Sequence, residues 1–298
     1  MKIRYLIANS ILGSFLLSMA KKRNNNDRGV LKILIYHDIP YQDFDKFEAQ
    51  IKYIASRYGF VRPDDLEKIL TGKMKYVGTR VLLTFDDGFK SNILLAEKFL
   101  DPLGIKAVFF IPPGFINAKN RDEQRTFIAK NIYKNRFKLE EIPDDMAPMV
   151  WQDLERLLDQ GHTIGAHTIN HRRLTEIESE DNLRHEIVEC GDILQKKLGV
   201  DVDHFSFPFG NIESIDLKAM NIIRERYKYC YSGIRGNNSA NTNSYAILRD
   251  PVSVDDPSTY FRFIFEDGLG LMYRKRASLL GFSSIRKKLS WAASARKR

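Results

Sequence analysis

Two adjacent carboxylates, Asp86 and Asp87, stand between the apolar stretch VLLTF and Gly88. Adjacent acids at the end of a strand project in different directions, so one can bind a cation while its neighbour stays free as a base. Alone, this pattern is only moderately specific, because an Asp-Asp-Gly turn in a solvated loop explains it equally well. The pair is therefore a candidate site whose interpretation depends on what accompanies it.

Two histidines four residues apart, His167 and His171, occur farther along the chain in the segment HTINH. Neutral imidazole is a common ligand of zinc and similar ions, and this spacing lets both rings reach one ion. Two histidines and one carboxylate leave coordination positions open, which is typical of a catalytic metal site. Such an ion polarises an amide carbonyl and lowers the pKa of bound water towards ~7, so the set favours a hydrolase.

Short apolar stretches alternate with helical patterns from residue 30 onward, which is typical of βα units and a largely parallel sheet. We predict strands at residues 31–36, 81–85, 107–111, 163–166 and 205–207, and helices at 44–58, 93–100, 151–159 and 182–198. Such an α/β chain folds as a barrel or as a doubly wound sheet. Both architectures place catalytic residues just past the carboxyl ends of the strands, where DDG and HTINH are found.

We expect one main domain with two tails. A chain of 298 residues, 43% of them hydrophobic, can bury a barrel-sized core. The predicted boundaries are a basic and apolar helix at 1–28, a catalytic domain at 29–273 and a basic amphipathic tail at 274–298. The polar stretch 119–149 is predicted to be an insertion within the domain, and NNSANTNS at 237–244 a polar loop.

The net charge of +9 is concentrated at the two ends of the chain. Residues 1–28 have a balance of +5 and residues 274–298 one of +9, which leaves about −5 for residues 29–273. A basic groove across the main domain is therefore unsupported, and we expect no nucleic-acid partner. The basic ends favour peripheral contact with a membrane surface, with a role in solubility as the alternative.

The first 28 residues permit two main interpretations. Ile3, Ile7 and Ile11 share one helical face, which fits a helix lying on a membrane surface or docked on the domain. The basic start and apolar stretch also resemble a signal peptide, although the basic residues at 21–23 are unfavourable directly after a cleavage site. We favour the uncleaved helix. The expected location is then the cytoplasm or the cytoplasmic face of the inner membrane, with a periplasmic or secreted protein as the alternative.

Three motifs together resemble a known family. TFDDG at 84–88, HTINH at 167–171 and FSFPFG at 205–210 are similar to the motifs of the polysaccharide deacetylases of carbohydrate esterase family 4. The resemblance covers roughly residues 30–265, and the first two motifs are quite specific in this order. It implies a distorted (β/α) barrel of about seven strands.

The resemblance also implies roles for residues at the matching positions. Asp86 would be the general base, and Asp87, His167 and His171 would bind a divalent metal ion. The backbone N–H of Phe209 would help to hold the oxyanion. Zinc is the usual ion of the family, with Co²⁺, Ni²⁺ or Fe²⁺ as alternatives.

The third motif departs from the family pattern. It usually begins with an arginine that orients the catalytic aspartate, and this chain has Ser206 at that position. Arg249, in the segment LRDP, is our candidate for the missing orienting group. An ordinary surface or packing arginine is an equally good interpretation of that residue.

The last motif of the family ends with a histidine that acts as general acid, but this chain has no histidine after His204. The segment LIYHD, which contains His37, closely resembles that motif near the amino terminus. A branch of the family is circularly permuted in this way, and a permuted barrel keeps the same spatial neighbours. His37 is then the expected proton donor to the leaving amine, and a histidine that only caps a strand or packs in the core is the alternative.

The other reactive side chains have ordinary interpretations. Cys190 and Cys230 are too few and too isolated for a disulfide framework or a thiolate metal site, so we predict reduced packing residues. His162, His185 and His204 are expected to be structural. Three aromatic residues could stack on sugar faces, although core packing is the stronger expectation for each: Trp151, Phe207 and Phe209.

The resemblance implies a hydrolase acting on carbon–nitrogen bonds other than peptide bonds. It would remove N-acetyl groups from N-acetylhexosamine units of a polysaccharide or lipid-linked saccharide and release acetate, in the synthesis of surface glycan or biofilm exopolysaccharide. The expected partner is therefore an N-acetylated glycan. Two alternatives stay open: a glycan-binding barrel with impaired catalysis, because Ser206 breaks one motif, and an O-acetyl esterase on the same scaffold.

Overall fold

The structure is a computed structural model that describes residues 10, 29–266, 273, 276 and 278–280. The predicted amino-terminal helix at 1–28 and the predicted tail at 274–298 therefore lie outside the described residues, apart from the isolated positions just named. Within the described part of the chain, no helix has the length and apolar character needed to cross a membrane.

The described chain forms one parallel sheet of eight strands that curls into a distorted barrel. Seven strands follow the order β7-β6-β5-β4-β3-β1-β8, and β2 lies beside the start of β3. The strands are β1 (Val30–Tyr36), β2 (Gly59–Phe60), β3 (Thr79–Phe85), β4 (Ala107–Ile111), β5 (Thr163–Ala166), β6 (His204–Ser206), β7 (Tyr229–Tyr231) and β8 (Asp250–Pro251).

Helices connect and cover these strands. They are α1 (Phe44–Arg57), α2 (Leu66–Leu70), α3 (Lys90–Leu95), α4 (Pro113–Ile116), α5 (Arg121–Phe127), α6 (Trp151–Asp159), α7 (Glu180–Arg184), α8 (Cys190–Leu198), α9 (Leu217–Arg226) and α10 (Ser258–Phe265). π-Helical segments extend α3 (Ala96–Leu100) and α5 (Ile128–Ile132) and join α7 to α8 (His185–Glu189). Short 3₁₀ turns occupy Tyr41–Asp43, Pro63–Asp65, Asp101–Leu103, Leu139–Glu141, Leu174–Glu176 and Ile212–Ser214.

The strands are apolar because both faces of the sheet are covered. In β1, Leu31 and Ile33 belong to the cluster that fills the barrel, whereas Leu34 and Tyr36 belong to the layer between the sheet and the helices. This alternation follows from the two-residue period of a strand, and a sheet buried on both faces needs hydrophobic residues on each. The helices complete the outer layer with apolar stripes, such as the buried side chains of α1 at 44, 47, 51 and 54.

The gap between β7 and β1 is bridged by the segment 247–251. The Ile247 N–H donates to the carbonyl of Cys230 (3.1 Å) beside β7, and β8 then pairs with β1. The same chain therefore passes from one edge of the curled sheet to the other. This path carries the side chain of Arg249 into the barrel, where it is 1% exposed.

The structure confirms the predicted α/β barrel and its main elements. The predicted strands at 107–111 and 163–166 and the helix at 151–159 have the same bounds in the structure, and the others differ by a few residues at their ends. The prediction lacked β2, β7 and β8 and the helices α2, α4, α9 and α10, and it gave no bounds for α5. Of these strands, β2 and β8 have two residues and β7 has three, which is too short for a period-two pattern to stand out.

The stretch 119–149 leaves the sheet between α4 and α6 and has a small core of its own. Phe127, Ile128 and Ile142 pack there with Phe89 and Phe115 from the neighbouring segments. Asn120 caps α5 by accepting the N–H of Glu123 (2.9 Å). The segment is thus an ordered structure packed beside the barrel.

The aromatic stack at the centre of the outer layer gives a stability prediction. Phe109 is fully buried and stacks on Phe85 at 4.9 Å with the planes at 7°. Phe109→Ala should lower the free energy of unfolding by about 3–5 kcal/mol, because it leaves a cavity in a packed core. Urea unfolding measures the change. Leu103→Ala, at a side chain 54% exposed, should cost less than about 0.5 kcal/mol, and a loss below about 1 kcal/mol for the Phe109 variant would contradict this description of the core.

Candidate active site

The predicted catalytic residues meet at the carboxyl ends of the strands. Asp86 and Asp87 follow β3, His37 follows β1, and His167 follows β5. A cleft of about 340 Å³ opens there. Its walls are formed by Ile35, His37, Asp86, Asp87, Ile132, Tyr133, His167, His171, Phe209, Gly210, Gly233, Arg249 and Pro251. Every residue predicted to act in catalysis or metal binding thus lines one cleft.

Asp87, His167 and His171 converge on one point. Oδ1 of Asp87 lies 3.4 Å from Nε2 of His167 and 3.1 Å from Nε2 of His171, and all three side chains are buried. One ligand atom from each lies within 4.8 Å of the others. This is the predicted set of metal ligands brought together in space.

The other nitrogen of each imidazole is held by a backbone carbonyl. Nδ1 of His167 is 2.6 Å from the carbonyl oxygen of Ser206, and Nδ1 of His171 is 3.0 Å from that of Asn131. A carbonyl can only accept, so both Nδ1 atoms must carry the proton. With the proton on Nδ1, the neutral form of each ring presents the lone pair of Nε2 to Asp87, as metal-binding histidines do.

The environment of Asp87 fits a divalent cation. Its Oδ1 atom is buried and accepts no hydrogen bond, although a buried carboxylate oxygen without a partner is costly. With both Nδ1 atoms protonated, Oδ1 faces the lone pairs of two nitrogens, and three acceptors repel one another unless a cation lies between them. The residues present therefore match the two-histidine, one-carboxylate set inferred from the sequence.

The charges of the set are strongly coupled. Burial raises the pKa of Asp87, but the adjacent His171 and His167 outweigh burial and hold it well below the ordinary value. Burial lowers the pKa of His171, yet Asp87 outweighs it and raises that pKa. A proton and a metal ion thus compete for the same position, so acidification should weaken metal binding.

Arg249 holds the other carboxylate. Its Nη1 and Nη2 atoms donate to the two oxygens of Asp86 at 2.7 and 2.8 Å. The remaining donors reach Oγ1 of Thr84 (3.1 Å), Oγ of Ser206 (2.6 Å) and the carbonyl oxygen of Ser232 (2.9 Å). All five guanidinium N–H groups are used, and this fixes the plane in which Asp86 lies.

This pair keeps Asp86 ionised. Burial raises the pKa of Asp86, but Arg249, with smaller contributions from His167 and His37, outweighs burial and lowers it below the ordinary value. An ionised carboxylate that faces the cleft is able to accept a proton. The geometry thus gives Asp86 the charge state that a general base needs.

Ser206 stands where the family motif has its arginine, and its small side chain leaves space for the guanidinium of Arg249. Its hydroxyl accepts from Arg249 while its carbonyl accepts from His167, so Ser206 touches both halves of the site. The arginine therefore comes from the residue just before β8, which is distant in sequence but adjacent in the barrel. The packing-only interpretation of Arg249 is wrong.

His37 lies at the open side of the cleft and is exposed. The Asn92 side chain donates to the His37 carbonyl (2.9 Å), and the Ser91 hydroxyl donates to Asp38 (2.7 Å). The start of α3 thus fixes the backbone that carries the imidazole. The exposed His37 side chain does not pack in the core, and its role as proton donor stays a prediction.

The turn at Phe209 and Gly210 forms another wall. Both residues have positive φ, 64° and 61°, and a Cβ on Gly210 would collide with the backbone of Gly233. The Phe209 ring lies edge-on to His171 (4.9 Å) and under the guanidinium of Arg173 (4.5 Å). No acceptor in the described part of the protein takes the Phe209 N–H, so this donor is free for a ligand oxygen.

Backbone strain is concentrated around the cleft. Seven non-glycine residues of the described chain have positive φ, and four of them are Asp87 (75°), Thr168 (57°), His171 (51°) and Phe209 (64°). Each costs ~1–3 kcal/mol and persists only where surrounding contacts hold it. The strand ends are therefore shaped for the side chains they present, at some cost in stability.

Sequence reasoning missed the contribution of the 119–149 segment. Asn131 supplies the carbonyl that holds His171, and Ile132 and Tyr133 line the cleft. No motif signalled these residues, because a backbone carbonyl can come from any residue type. The position of the stretch, between the strand at 107–111 and HTINH, was the only available indication.

The remaining histidines are structural, as predicted. His162 accepts from the Ala107 N–H (3.0 Å), and His204 is bonded to the hydroxyl of Tyr231 (2.8 Å). His185 pairs with an exposed glutamate on its own helix. The two cysteines are buried free thiols, and two of the three candidate sugar-stacking aromatics, Trp151 and Phe207, do not line the cleft.

Comparison with known proteins points to one family. The family model described as polysaccharide deacetylase matches residues 73–224. The chain is 25% identical over 229 residues to YxkH of Bacillus subtilis strain 168, a candidate polysaccharide deacetylase, covering 75% of this chain and 71% of that protein. It is 27% identical over 146 residues to a peptidoglycan-N-acetylglucosamine deacetylase of Bacillus cereus, covering 48% of this chain and 41% of that protein.

A solved structure gives the same fold. The deacetylase PplD of Streptococcus pyogenes, in complex with acetate, superposes with a TM-score of 0.61 at 19% identity over 80% of this chain and 99% of that chain. This likeness confirms the predicted barrel. The family match spans the DDG, HTINH and FPFG segments but begins after His37 and ends before Arg249.

The pairing of Asp86 with Arg249 gives a prediction on stability. Arg249→Met leaves a buried carboxylate without its partner, which should lower the free energy of unfolding by about 3–5 kcal/mol at pH 7. The lowered pKa of Asp86 stabilises the wild type above the unfolded pKa of about 4, and this gain stays constant between pH 7 and pH 5 because it is lost only at lower pH. In the Arg249→Met variant, burial without the arginine raises the pKa of Asp86. The loss in free energy of unfolding caused by the substitution therefore becomes smaller as the pH falls.

Urea unfolding of metal-free protein from pH 7 to pH 5 measures the loss of stability at pH 7 and its decrease on acidification. The gap between wild type and Arg249→Met should narrow as the pH falls. The control is Arg262→Met, which removes an exposed pair with Glu266 and should change stability by less than about 1 kcal/mol at any pH. A gap that widens on acidification would contradict the assignment.

Proposed function

Because the chain belongs to the polysaccharide deacetylase family, we propose that it hydrolyses N-acetyl groups on N-acetylhexosamine units of a polysaccharide or lipid-linked saccharide. The family makes the chain a hydrolase of acetylated glycans. The convergence of Asp87, His167 and His171 beside the ionised Asp86 is the observation that carries the proposal. The relative from Bacillus cereus is named for N-acetylglucosamine, which favours an N-acetyl substrate.

The proposed chemistry needs a divalent cation held by Asp87, His167 and His171, and zinc is our candidate. Such an ion supplies Lewis-acid polarisation of the acetyl carbonyl and acidifies the attacking water. Co²⁺, Ni²⁺ or Fe²⁺ would serve the same two purposes with the same ligands.

The residues of the chain then divide the proton transfers. Asp86, held by Arg249, accepts a proton as water adds to the acetyl carbon. The Phe209 N–H donates to the oxygen on which negative charge develops. His37, on the open side of the cleft, gives a proton to the nitrogen as the carbon–nitrogen bond breaks. Water and the amide are thereby converted into acetate and a free amino sugar.

We keep two wider inferences as proposals. A role in the synthesis of surface glycan or biofilm exopolysaccharide would follow from an N-acetylated glycan substrate. A location at the cytoplasmic face of the inner membrane would suit the basic residues at both ends of the chain. A periplasmic or secreted enzyme is the alternative.

Acetate release tests the proposed activity directly. Purified protein containing one equivalent of zinc should release acetate from N-acetylhexosamine oligomers and be much slower on O-acetylated sugars. Asp86→Asn should keep the metal and abolish turnover, because the base is lost while the three ligands remain. A preference for O-acetyl substrates would favour an esterase, and undiminished release by Asp86→Asn would refute the role of Asp86.

The general acid has a separate test. His37→Ala should slow acetate release from N-acetylhexosamine oligomers at least ~100-fold, because an amine leaves poorly without a proton. An activated aryl ester needs no protonation, so its hydrolysis should fall far less. His185→Ala, at an exposed histidine paired with Glu189, serves as the control with near-normal rates. Equal losses on both substrates would contradict the acid role.

A further inference from the structure

The chain between the two ligand histidines is strained. His167 and His171 are separated by three residues, and both Thr168 and His171 have positive φ. Neither is glycine, so the conformation persists only because neighbouring contacts hold it. What holds this loop therefore determines where the His171 imidazole lies.

One holding group is Glu186, a carboxylate in the π-helical segment between α7 and α8. Its side chain is 2% exposed. Oε2 accepts the backbone N–H of Asn170 at 2.9 Å, and Oε1 accepts the Asn170 side-chain amide at 2.9 Å. The backbone N–H and the side-chain amide of Asn170, the residue just before His171, thus donate to the same carboxylate.

The second holding group is Asn131, in the 119–149 segment. Its side-chain amide donates to the carbonyl of Asn170 (2.9 Å), and its own carbonyl holds Nδ1 of His171 (3.0 Å). The Gly114 N–H also donates to the carbonyl of Ile169 (2.9 Å). Contacts from three separate segments therefore fasten the loop from both sides.

A carboxylate at position 186 lowers the stability of the fold because its charge is buried. No ion pair reaches Glu186 among the residues that the structure describes, and a buried charge without a cation costs free energy. A neutral glutamine would fill the same space. Only a carboxylate, however, offers two acceptors to the two donors of Asn170, since an amide would turn an N–H group towards one of them.

We propose that Glu186 is a positioning residue for the metal site, acting through Asn170 and Asn131 on the imidazole of His171. The inference rests on the proposed metal-binding role of His171. Partners of this kind orient the ligands of metal sites and raise their affinity. The 119–149 segment then belongs to the metal site through Asn131, besides forming one wall of the cleft.

Metal titration tests the inference without any measurement of turnover. Metal-free Glu186→Gln should bind Zn²⁺ about 10–100-fold more weakly than wild type in competition with a chromophoric chelator. Its Co²⁺ complex should also show an altered visible d–d spectrum, because the ligand geometry changes. The matched control is Glu189→Gln in the same π-helical segment, where the side chain is 59% exposed and pairs with His185, and its affinity should stay near that of wild type.

A Glu186→Gln protein with wild-type zinc affinity and an unchanged Co²⁺ spectrum would overturn the proposal. Should this variant fail to fold, Asn131→Ala tests the same network from the other side. It removes one hydrogen bond to Asn170 and should weaken Zn²⁺ binding about two- to tenfold, whereas exposed Lys130→Ala should have no effect. Equal affinities for these two variants would also overturn the proposal.

The titration distinguishes failure of the proposed function from failure of the proposed role of Glu186. Failure of the wild type to bind zinc would contradict the metal site itself. Tight binding by wild type and Glu186→Gln alike would contradict only the positioning role of Glu186.

Discussion

Two neighbouring carboxylates are buried side by side at the end of β3, and each requires its own positive partner. Asp86 and Asp87 are 4% and 2% exposed, and adjacent negative charges in a poorly solvated cleft repel each other. The left-handed backbone at Asp87 turns its carboxylate towards the histidines, while Asp86 meets Arg249. Arg249 satisfies one charge permanently. Oδ1 of the other lies against Nε2 of two imidazoles, and this arrangement of three ligand atoms suits a divalent cation.

Other segments of the barrel hold the partners of Asp86 and Asp87 in place. β6 supplies Ser206, which holds His167 through its carbonyl and Arg249 through its hydroxyl. The segment that closes the barrel between β7 and β1 carries Arg249, and the 119–149 segment supplies the carbonyl for His171. The groups that touch the ligands and the proposed base come from segments far apart in the sequence. A parallel barrel brings the carboxyl ends of its strands to one face, so residues distant in sequence share one cleft.

The fold and the primary site were largely predictable from the sequence, because long apolar strands and residue-specific motifs leave clear patterns. Side-chain type determines the predicted roles of Asp86, Asp87, His167 and His171, so a sequence motif can identify these residues. For Arg249, an orienting role and an ordinary surface or packing role were equally good interpretations. The neighbouring sequence does not distinguish an arginine that contacts a distant carboxylate from any other arginine. Asn131 and the Ser206 carbonyl act through the backbone, which any residue type provides. Glu186 lies in an ordinary polar helix, and its burial becomes visible only when the helix is placed against HTINH.

X-ray absorption spectroscopy of zinc-loaded protein would examine the central claim most directly. The account predicts one zinc per chain, coordinated by nitrogen and oxygen donors without sulfur, with the multiple-scattering signature of two imidazoles. Replacement of His171 by alanine should reduce that signature to one imidazole. A zinc signal without histidine scattering, or one unaffected by this replacement, would contradict the convergence of Asp87, His167 and His171 on a single ion.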